Sequence, residues 1–197
     1  MRSERIRLLV EIGLTVALCF ALRWIGVRLP WNIAGGSVSL EMLPILVLAI
    51  RRGVGPAMIA GAMWGVVDFL YEPYFVAPIQ LLLDYPLAFA MLGLAGFGSK
   101  GWKRLVAADR MGAAEAYAVP WMVLGAAGRF ASHFLSGIVF FASNAPKGQP
   151  VWIYSAFYNL SYIVPSLIMC IVAALLLLPV LERAVPVASQ PAGSIPS

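Results

Sequence analysis

Apolar residues gather into six runs along the chain, at 6–27, 40–50, 54–70, 78–97, 116–141 and 153–181, separated by proline, glycine and charge clusters. Runs of about 20 apolar residues suit helices that cross a roughly 30 Å hydrocarbon core. The second run is too short for that. Its residues, 40–50, reach only about 16 Å as a helix, so it is predicted to be tilted, broken or packed inside the bundle, with Pro44 bending it. Pro165 predicts a kink in the sixth run, or an extension of that run beyond the bilayer. The pattern predicts an all-α integral membrane protein with six transmembrane helices in one domain, residues 1–185. The tail 186–197, rich in Pro, Ser and Ala, is expected to be disordered.

Composition strengthens the membrane reading and excludes others. The 197 residues are 61% apolar and 12% charged, against about 45–50% and 25% in soluble domains, and the mean hydropathy is +0.87. Arg2, Arg5 and Arg7 precede the first run, and Arg51 and Arg52 join the second to the third. Lys100, Lys103, Arg104 and Arg110 lie between the fourth and fifth, and Arg183 follows the sixth. With six spans these cations share one side, against Arg28 and Lys147 on the other, and the positive-inside rule puts both termini in the cytoplasm. The net charge of +5 thus reports topology. No basic patch interleaved with aromatics points to nucleic acid. The first run lacks an A-x-A cleavage site and is expected to stay in the membrane. Cys19 and Cys170 lie in apolar runs and read as small buried hydrophobes.

Two stripes of small residues concern packing. Gly13, Ala17 and Ala21 recur at four-residue spacing in the first run, and Ala57, Gly61 and Gly65 in the third. Each stripe lets another backbone approach closely, either inside the bundle or from another membrane subunit.

Ionisable residues inside spans carry the functional information, because each costs at least about 2.5–3.5 kcal/mol at the bilayer centre unless paired or hydrated. Here they are Glu11, Arg23, Glu41, Asp68, Asp84, Arg129 and His133. Glu11 and Arg23 sit near the ends of the first run and can snorkel. Asp84 lies just before Tyr85 and Pro86, and His133 follows Arg129 by one helical turn. Tyr71, Tyr74, Phe75, Tyr85, Phe140, Phe141, Trp152, Tyr154, Tyr158 and Tyr162 fall in the outer loops or outer halves of helices. Ring faces around a carboxylate suit a flat organic cation; the same Tyr and Trp residues also fit an interfacial belt.

Catalysis is poorly supported. A lone histidine and two isolated cysteines give no metal-ligand cluster, and no cofactor motif is present. The absence of a P-loop means that the chain cannot itself drive transport with ATP.

The run Glu41-Met-Leu-Pro-Ile-Leu-Val-Leu-Ala-Ile-Arg-Arg-Gly, then Asp84-Tyr85-Pro86, then His133-Phe-Leu-Ser-Gly-Ile-Val-Phe-Phe and Tyr154-Ser-Ala-Phe-Tyr-Asn159 resembles the thiamin-specific S-component of energy-coupling factor transporters. The motifs occur in the same order over nearly the whole chain. The resemblance implies a six-helix protein of the bacterial plasma membrane that captures thiamin in an outward-facing pocket. It also implies docking onto a transmembrane coupling protein and two ATPase subunits. Carried over by motif, Asp84, His133, Tyr154 and Asn159 would hold the polar groups of the vitamin, with Tyr74, Tyr85 and Phe141 as ring partners. The stripe Gly13, Ala17, Ala21 resembles the family's surface for the coupling protein. Three departures stand out. Asp84 is one methylene shorter than the family's usual glutamate, Phe141 stands where some members carry tryptophan, and the first outer loop has Trp31 out of register, where it would serve as a lid.

Two other readings follow from the residues. One is a stand-alone proton-coupled carrier with a relay through Asp84, Arg129 and His133. The other is a structural membrane protein that binds nothing small.

Overall fold

The computed structural model describes residues 2–30 and 36–187. The chain runs through α1 (Arg2–Arg23), α2 (Leu43–Arg52), α3 (Val54–Tyr71), α4 (Pro78–Asp84), α5 (Pro86–Met91), a 3-10 segment (Leu92–Gly98), α6 (Ser99–Ala107), α7 (Met111–Phe140) and α8 (Val151–Ala184). Among the described residues the sole β pairing is one antiparallel bridge, Val27 to Val38. Four segments are long and apolar enough to cross a membrane: Val54–Tyr71, Pro78–Ala107, Met111–Phe140 and Val151–Ala184. Trp31 lies outside the described residues, as does the tail beyond Val187.

The short second run is a buried strut. All of α2 except Val47 and Arg52 is buried, and Ile45, Leu46 and Ile50 join Trp64, Phe89, Leu92 and Met122 in the central core. Pro44 does not bend it. The proline sits in the first turn, where its missing N–H costs no helical hydrogen bond. Gly53 ends the helix at φ +94°, a left-handed backbone that disfavours side chains, and α3 starts at once.

The fourth run differs most from its predicted continuous helix. Tyr85 precedes Pro86, a position biased away from helical backbone, and its φ of −117° and ψ of −86° separate α4 from α5. Beyond Met91 the chain tightens into 3-10 geometry, then re-forms as α6 where a loop carrying Lys100, Lys103 and Arg104 was predicted. The break is tolerated because α3 has no side chains in its way. A Cβ on Gly61 would meet the Phe89 carbonyl at 2.2 Å, and one on Gly65 would meet Tyr85 and Pro86 backbone within 2.6 Å.

The two small-residue stripes therefore part company. Ala57, Gly61 and Gly65 are buried, the two glycines against the α4–α5 backbone, whereas Gly13, Ala17 and Ala21 are exposed beside Leu14 and Leu18, and a Cβ on Gly13 would meet nothing within 4 Å. At the opposite end of the bundle from that break, Arg51 pairs with Glu182 at 2.9 Å and Arg52 with Glu11 at 2.6 Å. Arg7 donates to the Pro186 carbonyl at 3.1 Å.

Gly65→Ala should lower the thermal unfolding midpoint in detergent by the equivalent of about 1–3 kcal/mol through overpacking. Gly13→Ala should leave it unchanged or slightly higher. Equal losses for the two would place the α1 stripe inside the bundle.

Candidate functional site

The α4–α5 break and the ends of α1, α3, α7 and α8 surround a cavity of about 280 Å³. That lies just below the roughly 300–1,000 Å³ range of ligand pockets. Asp84, His133, Tyr154, Asn159, Tyr85, Tyr74 and Phe141 all line it. Trp31, the remaining candidate, is outside the described residues.

Asp84 is the last residue of α4, so the break projects its carboxylate across to α7. There Ser136 Oγ donates to Oδ2 at 2.8 Å and His133 Nδ1 lies 3.2 Å from Oδ1. Gln80, one turn earlier on α4, donates to the same Oδ2 at 2.8 Å. Its other contacts, to the Tyr74 carbonyl at 3.2 Å and from the Val76 N–H at 2.9 Å, tie the preceding loop to the carboxylate. Arg129 Nε points at His133 Nε2 over 3.4 Å. A guanidinium can only donate, so Nε2 accepts and the Nδ1–H faces Asp84. Arg129 then reaches Glu41 Oε1 at 2.9 Å, with both side chains almost fully buried, and its Cζ lies 4.2 Å above the Phe89 ring.

A second set of charges closes the rim. Arg23 pairs with Asp68 and Glu72, and Arg28 with Glu72. The hydrogen bond from Arg28, aided by Arg23 and opposed by burial, holds the Glu72 carboxyl below its usual range. These rim pairs are therefore fully present above the ordinary carboxylate pKa and are lost as pH falls through the lowered value. In all, Glu41, Asp68, Glu72 and Asp84 face Arg23, Arg28 and Arg129 around the cavity. With His133 neutral, one carboxylate is in excess. Asp84 is the acid that no guanidinium pairs with, so it carries that excess. Glu41 Oε2 is buried with no hydrogen-bond partner among the described residues.

Rings form the remaining walls. Tyr74 stacks on Phe141, with centroids 5.8 Å apart and planes 28° from parallel. Tyr154, Tyr158 and Tyr162 succeed one another along α8 at 5.7 and 6.2 Å. Tyr85 lines the cavity by its ring, while its hydroxyl accepts from the Tyr74 N–H at 3.1 Å and donates to the Glu72 carbonyl at 3.3 Å. Asn159 is held within α8. It donates to the Ser155 carbonyl at 2.9 Å and accepts from Tyr162 at 2.7 Å.

Reasoning from sequence singled out Glu41, Asp68 and Arg129 as intramembrane charges but did not pair them. Gln80 and Ser136 were missed. Gln80 could have been found from its four-residue spacing to Asp84, and Ser136 from its position one turn after the histidine.

Over residues 9–185 the chain matches the family described as "Thiamine transporter protein (Thia_YuaJ)". It belongs to that thiamine transporter family. The thiamine transporter ThiT of Bacillus subtilis is 37% identical over 177 residues, 89% of this chain and 92% of that protein. ThiT of Lacticaseibacillus paracasei is 31% identical over 164 residues, 80% of each. The solved structure of ThiT from Listeria monocytogenes superposes with a TM-score of 0.75 at 27% identity, covering 93% of this chain and 97% of that one. This thiamine transporter family member is a multi-pass protein of the bacterial cell membrane, and its relatives bear the names of transporters, not of enzymes.

Arg129→Met should destabilise this thiamine transporter family member by about 3–5 kcal/mol, because it strands Glu41 in the interior, and the double variant Arg129→Met/Glu41→Met should recover most of the loss. Denaturant unfolding in mild detergent reads both. A double variant no better than the single one would show that the pair contributes through something other than charge compensation.

Proposed function

We propose that this chain is the thiamin-capturing S-component of an energy-coupling factor transporter, holding the vitamin in the cavity between α4, α7 and α8. The observation that carries this reading is the single excess carboxylate, Asp84, set in a cavity walled by tyrosine and phenylalanine rings. Thiamin carries a permanent positive charge on one of two flat rings. Asp84, supported by Gln80, Ser136 and His133, supplies the opposite charge, and its four-residue spacing from Gln80 keeps the shorter side chain aimed into the cavity. Tyr74, Phe141, Tyr85 and Tyr154 supply faces for the rings, with cation–π attraction of about 2 kcal/mol or more where desolvated. Asn159 and the buried Glu41 Oε2 are polar groups within the same cavity.

In this reading α1 and the buried α2 complete six membrane helices with both termini in the cytoplasm, consistent with the clustering of cations at one end. The exposed stripe Gly13, Ala17, Ala21 would dock the transmembrane coupling protein, and two ATPases would supply the energy the chain has no motif to harvest.

The proton-carrier reading draws on the hydrogen-bonded series Asp84, His133, Arg129 and Glu41. All four line the same cavity and do not lead away from it, which favours binding over a relay. Liposomes containing only this chain should show no thiamin uptake under a pH gradient; uptake there would favour the carrier.

Thiamin should bind the purified protein and quench its tryptophan fluorescence, with riboflavin and biotin producing no change. Asp84→Asn should weaken binding by at least about 1.5 kcal/mol, more than tenfold, through loss of a charged hydrogen bond. Unaltered affinity in that variant would remove Asp84 from the site. Ala17→Leu/Ala21→Leu should leave binding intact and abolish ATP-driven uptake in the assembled transporter. If uptake survives, the stripe is not the docking surface.

A further inference from the structure

The cations of this protein divide into two sets. Arg7, Arg23, Arg28, Arg51, Arg52 and Arg129 each lie within 4.0 Å of a carboxylate. Among the described residues, Lys100, Lys103, Arg104 and Arg110 make no ion pair, although Asp109 and Glu115 are close in sequence. Arg5, Lys147 and Arg183 are also unpaired but stand singly on other segments, whereas these four occupy one short stretch.

Helical spacing gathers three of them. Lys100, Lys103 and Arg104 fall at i, i+3 and i+4 on α6, one face of the helix. The other face is fixed in place: Ser99 and Trp102 are buried, and the Trp102 indole donates to Glu182 at 3.4 Å. Lys100 and Arg104 are exposed, whereas Lys103 lies at the edge of the buried face, half-buried on the side of Arg52 and Glu182. Arg110 follows at the turn into α7.

A separate observation sets the depth of this face. Gly98 and Gly101 lie against α7 so closely that a Cβ on either would meet the Trp121 or Tyr117 ring at 2.4 Å, and those two rings are 6.1 Å apart. Trp and Tyr concentrate at headgroup level in membrane proteins. The two membrane-length segments Pro78–Ala107 and Met111–Phe140 meet at this turn. Just before the cations, Phe97 is 59% exposed. Charge and apolar surface thus adjoin at the end of two spans.

We propose that Lys100, Lys103 and Arg104 of α6, with Arg110, bind the phosphate of an anionic phospholipid headgroup, with the Phe97 ring against its acyl chain. Lipid fits better than an acidic protein. Less than three turns of helix present far less than the roughly 800 Å² per partner of a standard protein interface, and the patch is bordered by surface that needs hydrocarbon, not water. The inference is independent of the vitamin, since none of these residues lines the cavity.

Native mass spectrometry of the full-length protein in detergent, titrated with phosphatidylglycerol or phosphatidylcholine, tests it. The wild type should retain phosphatidylglycerol at least tenfold more strongly than phosphatidylcholine. Lys100→Gln/Lys103→Gln/Arg104→Gln should lose that preference with its unfolding midpoint in lipid-free detergent unchanged. The charge-conserving Lys100→Arg/Lys103→Arg/Arg104→Lys should keep the preference, so a general packing defect is separated from loss of charge. Inorganic phosphate and glycerol phosphate at equal concentration should not displace the lipid. A preference surviving in the glutamine variant would overturn the proposal, and so would displacement by either soluble phosphate, which would make this a site for soluble anions.

Discussion

A charge in the hydrocarbon region must be compensated or hydrated, at a cost of at least about 2.5–3.5 kcal/mol otherwise, and that requirement organises this protein from its core to its cavity. Arg129 satisfies it for Glu41, and Arg23 does so for Asp68, with Arg28 and Arg23 sharing Glu72 at the rim. These pairs draw on α1, α3, α7 and the turn that leads into α2, so the electrostatics also fix how those elements meet. Once the pairs are formed, three guanidinium groups are spent on three carboxylates. Asp84 is left with hydrogen-bond donors but no guanidinium, and the site acquires its preference for a positive ligand by subtraction.

Backbone irregularity places that carboxylate. The Tyr85–Pro86 break ends α4 there and turns the chain, and Gly61 and Gly65 let α3 approach the interrupted backbone too closely for any side chain. Groups freed by the break need partners in a non-aqueous setting. The Ser132 hydroxyl donates to the Leu83 carbonyl at 2.7 Å, so α7 compensates the break as well as facing the cavity.

Much of this was legible in the chain, and the limits have physical causes. The apolar runs located the helices because period and length are local properties. The shortness of 40–50 implied a run that is tilted, broken or packed inside the bundle, and α2 is the last of these. Pro44 misled because a proline's effect depends on where the helix begins, and in the first turn it has no hydrogen bond to break. The helical character of Lys100 to Arg104 was hidden by charge, since segmentation by apolar runs discards a short amphipathic helix. Asp84 and His133 stood out as costly residues, whereas the Glu41–Arg129 pair spans 88 positions and becomes visible only in three dimensions. Seven of the eight candidate site residues share one cavity, a convergence that no spacing in the sequence could supply.

The two small-residue stripes show the same limit from the side of function. Ala57-x-x-x-Gly61-x-x-x-Gly65 and Gly13-x-x-x-Ala17-x-x-x-Ala21 are equivalent as patterns, yet one is sealed against the α4–α5 backbone and the other faces outward. Close approach is the physical content of both, and burial decides who approaches. In α3 the partner is the segment that positions Asp84, so the stripe serves the cavity. In α1 the smooth face lies between Leu14 and Leu18 with no partner among the described residues, while the charged residues of the same helix, Glu11 and Arg23, are engaged with α2 and α3. Helix 1 is thus bound to the bundle through these polar positions and through the buried Ile12, Thr15 and Cys19, and its small-residue stripe lies outside those contacts.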